Sequence, residues 1–219
     1  SFQAYISHLL VESLIKAVKR SKNRTANLCL GGGCALNIKW NSRIRDSGVF
    51  DQVWVPPFTN DTGAALGAAC AHLVNVTDAR YIDWDVYSGP HLTPSCAASG
   101  WDSRPCNAEG IAEILHYEQE PVIVLNGRSE LGPRALGNRS ILAPAVKSSM
   151  KAHLNAIKQR QDYRPVAPIC LEDRAIEIFS PGAADPYMLF DHTVKSLWKD
   201  RIPAVVHVDG TARLETINA

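Results

Sequence analysis

The sequence has no apolar run near the roughly 20 residues needed to cross a bilayer, and its opening stretch, SFQAYISHLLVESLIKAVKR, carries charges within its apolar pattern. Neither a membrane anchor nor a signal peptide is expected, so the reading is of a cytoplasmic protein. No CxxC pair occurs: Cys29, Cys34, Cys70, Cys96, Cys106 and Cys170 are scattered. That excludes a metal-finger spacing and favours reduced thiols. A strong charge of either sign is also missing, with 23 Lys and Arg against 22 Asp and Glu and a net charge of +1, which argues against a surface built for nucleic acid. GxxxxGKS/T and GxGxxG are both absent, so neither a P-loop nor a dinucleotide fingerprint is read. Internal repeats and low-complexity tracts are lacking as well.

What remains is an ordinary chain of 219 residues, 46% of them hydrophobic, enough to bury the core of one large or two modest domains. Phe2, Ile6, Leu9, Leu10, Leu14, Ile15 and Val18 recur at helical spacing and predict an amphipathic helix to about Lys19. A short apolar strand at 27–30 runs into Gly31, Gly32 and Gly33, and a helix is predicted from about 35 to 45. A second strand at 52–55 closes at Pro56 and Pro57. After Asn60, an N-cap candidate, an alanine-rich helix is predicted over 63–76. From 77 to 104 periodicity fades while Gly, Pro and Ser accumulate, which marks a linker. Beyond it a helix at 108–117, a strand at 121–125, a polar loop, a helix at 148–158 and a strand at 166–171 alternate again. Alternation on both sides of the linker predicts two α/β units.

Charge is unevenly placed. From Arg128 to Arg164 there are eight basic residues against Glu130 and Asp162, an excess of six. In GRSELGPRALGNRS, Arg128, Arg134 and Arg139 sit in a loop punctuated by Gly and Pro, and Arg forks suit phosphate or carboxyl oxygens. HLNAIKQRQDYRPVAP adds Lys158, Arg160 and Arg164 near a helix end, where cations also simply complement the dipole. One shared anion pocket is the more economical account of both stretches. Gly31, Gly32 and Gly33 before a helix suit a phosphate approached by backbone N–H groups, and equally suit a tight turn. Asp61, in NDTG, is placed either to hold a metal that bridges phosphates or to cap the helix. AVVHVDGTARLET reads by itself as a strand entering a DG hairpin, with His207, Asp209 and Arg213 at the surface.

Taken together, GGGCALNIKWN, NDTGAALGAA, GRSELGPRALGNRSIL with LNAIKQRQDYRPVAP, and HVDGTARLET resemble, in order and spacing, the carbamoyltransferases that decorate Nod factors, aminoglycosides, aminocoumarins, ansamycins and cephems. The resemblance covers nearly the whole chain. It implies an α/β fold in which residues 1–85 form the end of an actin/hexokinase-like (ASKHA) domain and 105–219 an incomplete YrdC-like domain, joined by a linker at 86–104. It implies ATP and a divalent metal, iron or magnesium, as cofactors. As partners it implies carbamoyl phosphate and a small-molecule hydroxyl acceptor, with oligomer formation left open. Gly31, Gly32, Gly33 and Asn37 match the nucleotide-binding turn, and Asp61 a carboxylate ligand of the metal. Arg128, Arg134, Arg139, Lys158, Arg164 and Arg213 match basic positions for carbamoyl phosphate and ATP, with Arg134 and Lys158 as the catalytic pair.

The expected reaction has two stages. A carbamoyl adenylate forms in the YrdC-like domain, and the carbamoyl group then passes to a hydroxyl at the metal site of the other. Two positions depart from the family pattern: Gln161 stands where KxRE has a carboxylate, and Glu215 where Gln is customary. The metal-binding histidines of the family and its NTSFN stretch have no counterpart, so an internal fragment with an incomplete site is expected. Threonylcarbamoyl transfer to tRNA, and a non-catalytic nucleotide-binding module, are the competing readings. The near-neutral charge argues against the first.

Overall fold

The computed structural model describes residues 1–21, 27–93 and 99–218; Cys96 and residues 94–98 of the expected linker lie outside them. Helix α1, Phe2–Arg20, follows the apolar spacing of the sequence. Ser1 accepts a hydrogen bond from the Ala4 N–H at its start, and Lys19 and Arg20 lie in its last turn, where cations complement the dipole. Strands β1, Asn27–Cys29, and β2, Gln52–Trp54, run parallel with Leu28 opposite Val53. Between them the chain turns at Gly32, whose φ of 87° favours glycine, passes a 3-10 turn at Gly33–Leu36 and enters helix α2, Ile38–Asp46.

Helix α3, Ala64–Val76, follows a 3-10 turn at Asp61–Gly63. The expected cap at Asn60 is not made: no side-chain capping bond forms there, and Asn60 Oδ1 accepts instead from the Thr62 hydroxyl at 2.5 Å. None of the α3 residues is buried. Its apolar surface is thus uncovered, as are Ile123 and Leu125 on one strand of the second half. The accessible surface of 14624 Å² is about half again the roughly 9,900 Å² that size scaling gives for a folded monomer of this mass.

In that second half, α4, Ala108–Glu113, is capped by Asn107 and runs into a π turn at Ile114–Glu118 that closes at Gln119 with φ 60°. Strands β3, Val122–Leu125, and β4, Arg139–Leu142, pair antiparallel. After α5, Ser149–Ile157, come β5, Ile169–Leu171, and α6, Glu172–Ile178. Strands β6, Phe179–Ser180, β7, His192–Val194, and β8, Thr211–Ala212, form an antiparallel sheet in that order, with the short helix α7, Ser196–Lys199, after β7. The final strand β9, Glu215–Ile217, lies parallel to β5.

The hairpin expected around Asp209 is corrected. Residues 203–205 form a 3-10 turn begun by Pro203, and the partner of β8 is β7. What survives is the turn: His207 N–H donates to Thr211 O at 2.7 Å across Gly210, whose φ is 79°. Ala175, Phe179, Val194, Ala212 and Leu214 form the core beneath it. A second cluster unites distant parts of the sequence, since Ala35 and Val55 pack with Leu189. No helix among the described residues is long and apolar enough to cross a membrane.

Polar bonds reinforce that junction. Asn41, 1% exposed, donates to the carbonyls of Ala35 and Leu189, both at 2.8 Å. Lys39 Nζ, on α2, lies 2.7 Å from Asp191 Oδ2, 2.5 Å from Asp209 Oδ2 and 2.8 Å from Thr211 Oγ1. Burial opposes the charge on Lys39, yet its two carboxylate partners outweigh it and raise the amine above its usual range. Asp209 is drawn down to about 2, its own burial being overcome by bonds from Lys39 and Thr211.

Because Asp209 is depressed in the folded state, its contribution is complete above its unfolded pKa, near 3.9, and is lost as pH falls toward about 2. The group is half exposed, so the effect is modest. Lys39→Met is expected to lower unfolding free energy by about 2 kcal/mol at neutral pH, since it strands two carboxylates. In urea denaturation across pH, that deficit should shrink below about pH 4; an equal deficit at pH 3 and pH 7 would show that the ion pairs contribute nothing.

Candidate anion-binding cleft

A loop between β3 and β4 positions the first part of the site. Glu130 organises it: its Oε1 accepts from the N–H groups of Leu136, Asn138 and Arg139 at 2.8, 2.8 and 3.1 Å. Burial works against ionising this carboxyl, but backbone donors prevail and hold it below the usual range. Tyr87 donates to Leu136 O at 2.8 Å, and Leu131 N–H donates to Val86 O, so the loop is fastened to residues 86–90 as well. Gly132 has φ 97°, and a Cβ there would meet Pro57 O at 2.2 Å, so only glycine fits where the loop touches the turn after β2.

The arginines of this loop separate into two groups. Arg128 donates to Gly89 O and Ser88 O at 2.8 and 2.7 Å. Arg139 donates to Asn126 O at 2.6 Å and Asn138 O at 2.8 Å, with longer bonds to Gly127 O and Pro90 O. Their forks thus face backbone carbonyls, and neither lines the cleft, contrary to the expected convergence of all six basic residues. The physical reason is that a turn-rich loop leaves carbonyls without strand partners, and Arg has five donors to satisfy them.

Arg134, Lys158, Arg160, Arg164 and Arg213 do line a common cavity of about 610 Å³, together with Glu215. Lys158 is the C-cap of α5. Arg160 is anchored by Asn155 Oδ1 at 2.5 Å, and Arg164 by Gln161 Oε1 at 2.6 Å. Arg134 Nε and Arg213 Nε are buried without a hydrogen-bond partner. Burial, then Arg134 and Arg160, push Arg213 down to about 10, against the pull of Asp185 and Glu215. Burial likewise lowers Arg134, with Asp185 opposing, and lowers Lys158, with Arg160 and Arg213 adding repulsion. Asp185 does not cap either guanidinium: its carboxylate accepts from Leu189 N–H and Phe190 N–H at 2.8 and 2.9 Å. Desolvated cations with orphaned donors are suited to an anionic ligand.

Glu215, 4% exposed, is pushed up to about 8 by burial first and then by Glu130 and Asp185, with Arg213 opposing. The sequence singled it out only as a departure from a pattern. Arg160 was visible as part of the basic stretch, whereas Glu130 had one signal, being the sole acid in a loop of three arginines.

The other candidate residues lie around the first sheet. Gly31, Gly32 and Gly33 are exposed, and a Cβ at each would meet nothing within 4 Å, so open space lies over the turn. Thr59 Oγ1 donates toward Gly32 O at 3.2 Å, tying this turn to the segment that carries Asp61. Asn37 serves α2, its Oδ1 accepting from Trp40 N–H and from Gln3 Nε2 at 3.3 and 3.0 Å. Asp61 is exposed, and among the described residues no three His, Cys, Asp or Glu side chains gather as a metal site requires. The residues present therefore offer one carboxylate rather than a metal centre.

Residues 1–70 match the family model described as carbamoyltransferase N-terminus, and residues 112–219 that described as carbamoyltransferase C-terminus. The chain is 56% identical over 215 residues to nodulation protein U of Sinorhizobium fredii (strain NBRC 101917 / NGR234), covering 98% of this chain and 38% of that protein. It is 54% identical over 219 residues to nodulation protein U of Rhizobium tropici, covering 100% of this chain and 38% of that one. Against 3'-hydroxymethylcephem-O-carbamoyltransferase of Streptomyces clavuligerus it is 38% identical over 216 residues, 98% of this chain and 41% of the relative. The chain thus spans about two fifths of the length of these relatives.

The two groups of arginine should separate by experiment. Arg128→Ala and Arg139→Ala are expected to lower Tm by a few degrees at most, since most of the carbonyls they bond are open to water, with little change in phosphate affinity. Arg134→Ala and Lys158→Ala should do the reverse, weakening inorganic phosphate in calorimetric titration by at least about tenfold. The affinity of the unmodified protein should fall from pH 7 to 9, because Glu215 ionises near 8 and adds a negative charge to the cleft. Glu215→Gln should remove that part of the pH dependence.

Proposed function

The chain belongs to the carbamoyltransferase family, and from that premise we propose that the protein transfers the carbamoyl group of carbamoyl phosphate to a hydroxyl of a small molecule, using ATP. The observation that carries this reading is the cleft, in which Arg134, Lys158, Arg164 and Arg213 line one cavity and two guanidiniums lack internal partners. Such a site suits two phosphorylated reactants whose charges repel until cations neutralise them. Water takes the phosphoryl group of carbamoyl phosphate, releasing phosphate and leaving carbamate, and a carbamate oxygen then attacks the α-phosphorus of ATP, releasing pyrophosphate and forming the carbamoyl adenylate. In this reading Arg134 and Arg213, the deepest cations, hold the reacting phosphoryl oxygens. Lys158, lowered by burial and by its arginine neighbours, follows the charge as it moves to the leaving group.

The second stage, transfer to the acceptor, is assigned to the part built on residues 1–85, an actin/hexokinase-like (ASKHA) unit, and the first to a YrdC-like unit over 105–219. Gly31, Gly32 and Gly33 would lie against nucleotide phosphates, the open space above them leaving room for that approach. Asn37 supports them indirectly by starting α2 in place. Asp61 would supply one carboxylate oxygen to iron or magnesium, whose chemistry there would be that of a Lewis acid. A hydroxyl on a small molecule is favoured as acceptor over tRNA by the similarity to the cephem O-carbamoyltransferase and by the near-neutral charge of this chain.

Exchange of labelled pyrophosphate into ATP, dependent on carbamoyl phosphate, measures the first stage without the acceptor. It should be present in the intact protein and fall at least about tenfold in Arg134→Ala and Lys158→Ala. Lys147→Ala, which changes a cation outside the cleft, should leave it unchanged. Exchange that proceeds without carbamoyl phosphate, or that survives both substitutions, would defeat the assignment.

A further inference from the structure

All but one of the charged side chains that line the cleft are donors only. Lysine and arginine carry no acceptor, so Arg134, Lys158, Arg160, Arg164 and Arg213 can bind an anion but cannot recognise an N–H group. Glu215 is the one carboxyl among the lining residues. It reaches the cleft because side chains alternate along an extended chain: Leu214 enters the core and Thr216 Oγ1 accepts from Asp185 N–H at 2.8 Å, while Arg213 and Glu215 both line the cavity. Two such positions emerge about 7 Å apart, the scale of a small ligand with two unlike ends. The backbone of Glu215 is fixed by its N–H bond to Pro168 O at 2.9 Å and by pairing with Ile169.

The other polar side chains near it are committed. Ser140 Oγ already accepts from Gly137 N–H at 2.9 Å, Glu130 holds three backbone amides of its own loop, and Asp185 holds Leu189 and Phe190. The carboxyl of Glu215 makes no such bond in the structure, although it is 4% exposed. Its oxygens are not among the buried atoms left without a partner and so remain reachable from the cavity that five cations also line, an arrangement that suits a ligand anionic at one end and carrying N–H at the other.

We propose that Glu215 is a specificity-determining residue of this cleft, accepting a hydrogen bond from the amide NH₂ of the carbamoyl group while the arginines hold the phosphoryl oxygens. The inference rests on the carbamoyl phosphate reading above. Protonation does not remove the function, because a neutral carboxyl keeps a carbonyl oxygen that accepts, as a glutamine would. The groups that set its charge are Glu130 and Asp185, which raise it, and Arg213, which opposes them; Tyr87 faces it from the 86–90 segment and His192 lies 3.5 Å from Asp185 beneath.

Acetyl phosphate is the control ligand, since it replaces NH₂ by methyl and keeps the phosphoryl group. Both ligands are titrated calorimetrically at low temperature into the unmodified protein, Glu215→Met, Glu215→Gln and Arg134→Ala. The unmodified protein should prefer carbamoyl phosphate by at least about tenfold. Glu215→Met, of similar length without a strong acceptor, should erase the preference by weakening carbamoyl phosphate alone, and Glu215→Gln should keep it. Equal affinities in the unmodified protein overturn the inference without needing any variant to fold. So does an unchanged preference in Glu215→Met, and in both cases the anion site stands if Arg134→Ala weakens the two ligands together. If neither ligand binds, or Arg134→Ala alters neither, the carbamoyl phosphate reading fails and this inference with it.

Discussion

Holding two guanidinium groups in a partly dewatered cleft without a carboxylate bonded to either is a costly arrangement, and much of the second half of the chain is arranged around it. Arg134 and Arg213 each bury an Nε that has no partner. Asp185 is near enough to favour both charges, yet its oxygens are occupied by the amides of Leu189 and Phe190. The charges are therefore balanced at a distance rather than neutralised in contact. That keeps their forks available, because a bidentate ion pair would offer an incoming phosphate much less. A site of this kind gives up stability to remain ready for an anion, and its surroundings must be stiff enough to prevent collapse.

The stiffness comes from backbone bonds made by charged side chains. Glu130 gathers three amides of the loop that presents Arg134, while Arg128 and Arg139 gather carbonyls on its other side. The loop is thus held by one anion and two cations that have left the ligand field. Gly132 lets the same loop rest against Pro57, and Lys39 reaches from α2 to Asp209, four residues before Arg213. The glycine turn before α2 and the cleft are therefore parts of one mechanical unit. A displacement of α2 would pull on the Asp209 turn and so on the strand that presents Arg213 and Glu215.

The regular elements were legible because they rest on local signals. Apolar spacing located α1, and short apolar runs closed by Gly or Pro located β1, β2 and β3. The sheet of β6, β7 and β8 left no comparable trace, its strands being two or three residues long and paired with partners such as Phe179 with Val194 and His192 with Ala212, well beyond a local turn. The basic cluster was legible as a cluster, but three arginines in one loop carry the same letter whether they face carbonyls or a cavity. Only the fold assigns them. Asn37 illustrates the same limit, since a residue at the start of a helix can serve a ligand or the helix, and here its oxygen meets Trp40 N–H. Lys39 had no signal at all, because its partners lie more than 150 residues away.

The two departures from the family pattern acquire a joint meaning once they are placed. Gln161 accepts from Arg164 Nε at 2.6 Å, so it orients that arginine as a carboxylate would while leaving its charge uncancelled. Glu215 brings a carboxyl to the same cavity. Exchanging an acid for an amide at one position and an amide for an acid at the other conserves the formal charge of the cleft whenever Glu215 is ionised. When Glu215 holds its proton, which burial and its acidic neighbours favour up to about pH 8, the cleft carries one more positive charge than the family pattern would give. Near neutral pH this version of the cleft is therefore the more cationic one, with its sole carboxyl neutral. An anion entering it meets undiminished attraction from Arg164 and Arg213, and the carboxyl is left free to read the uncharged end of the ligand.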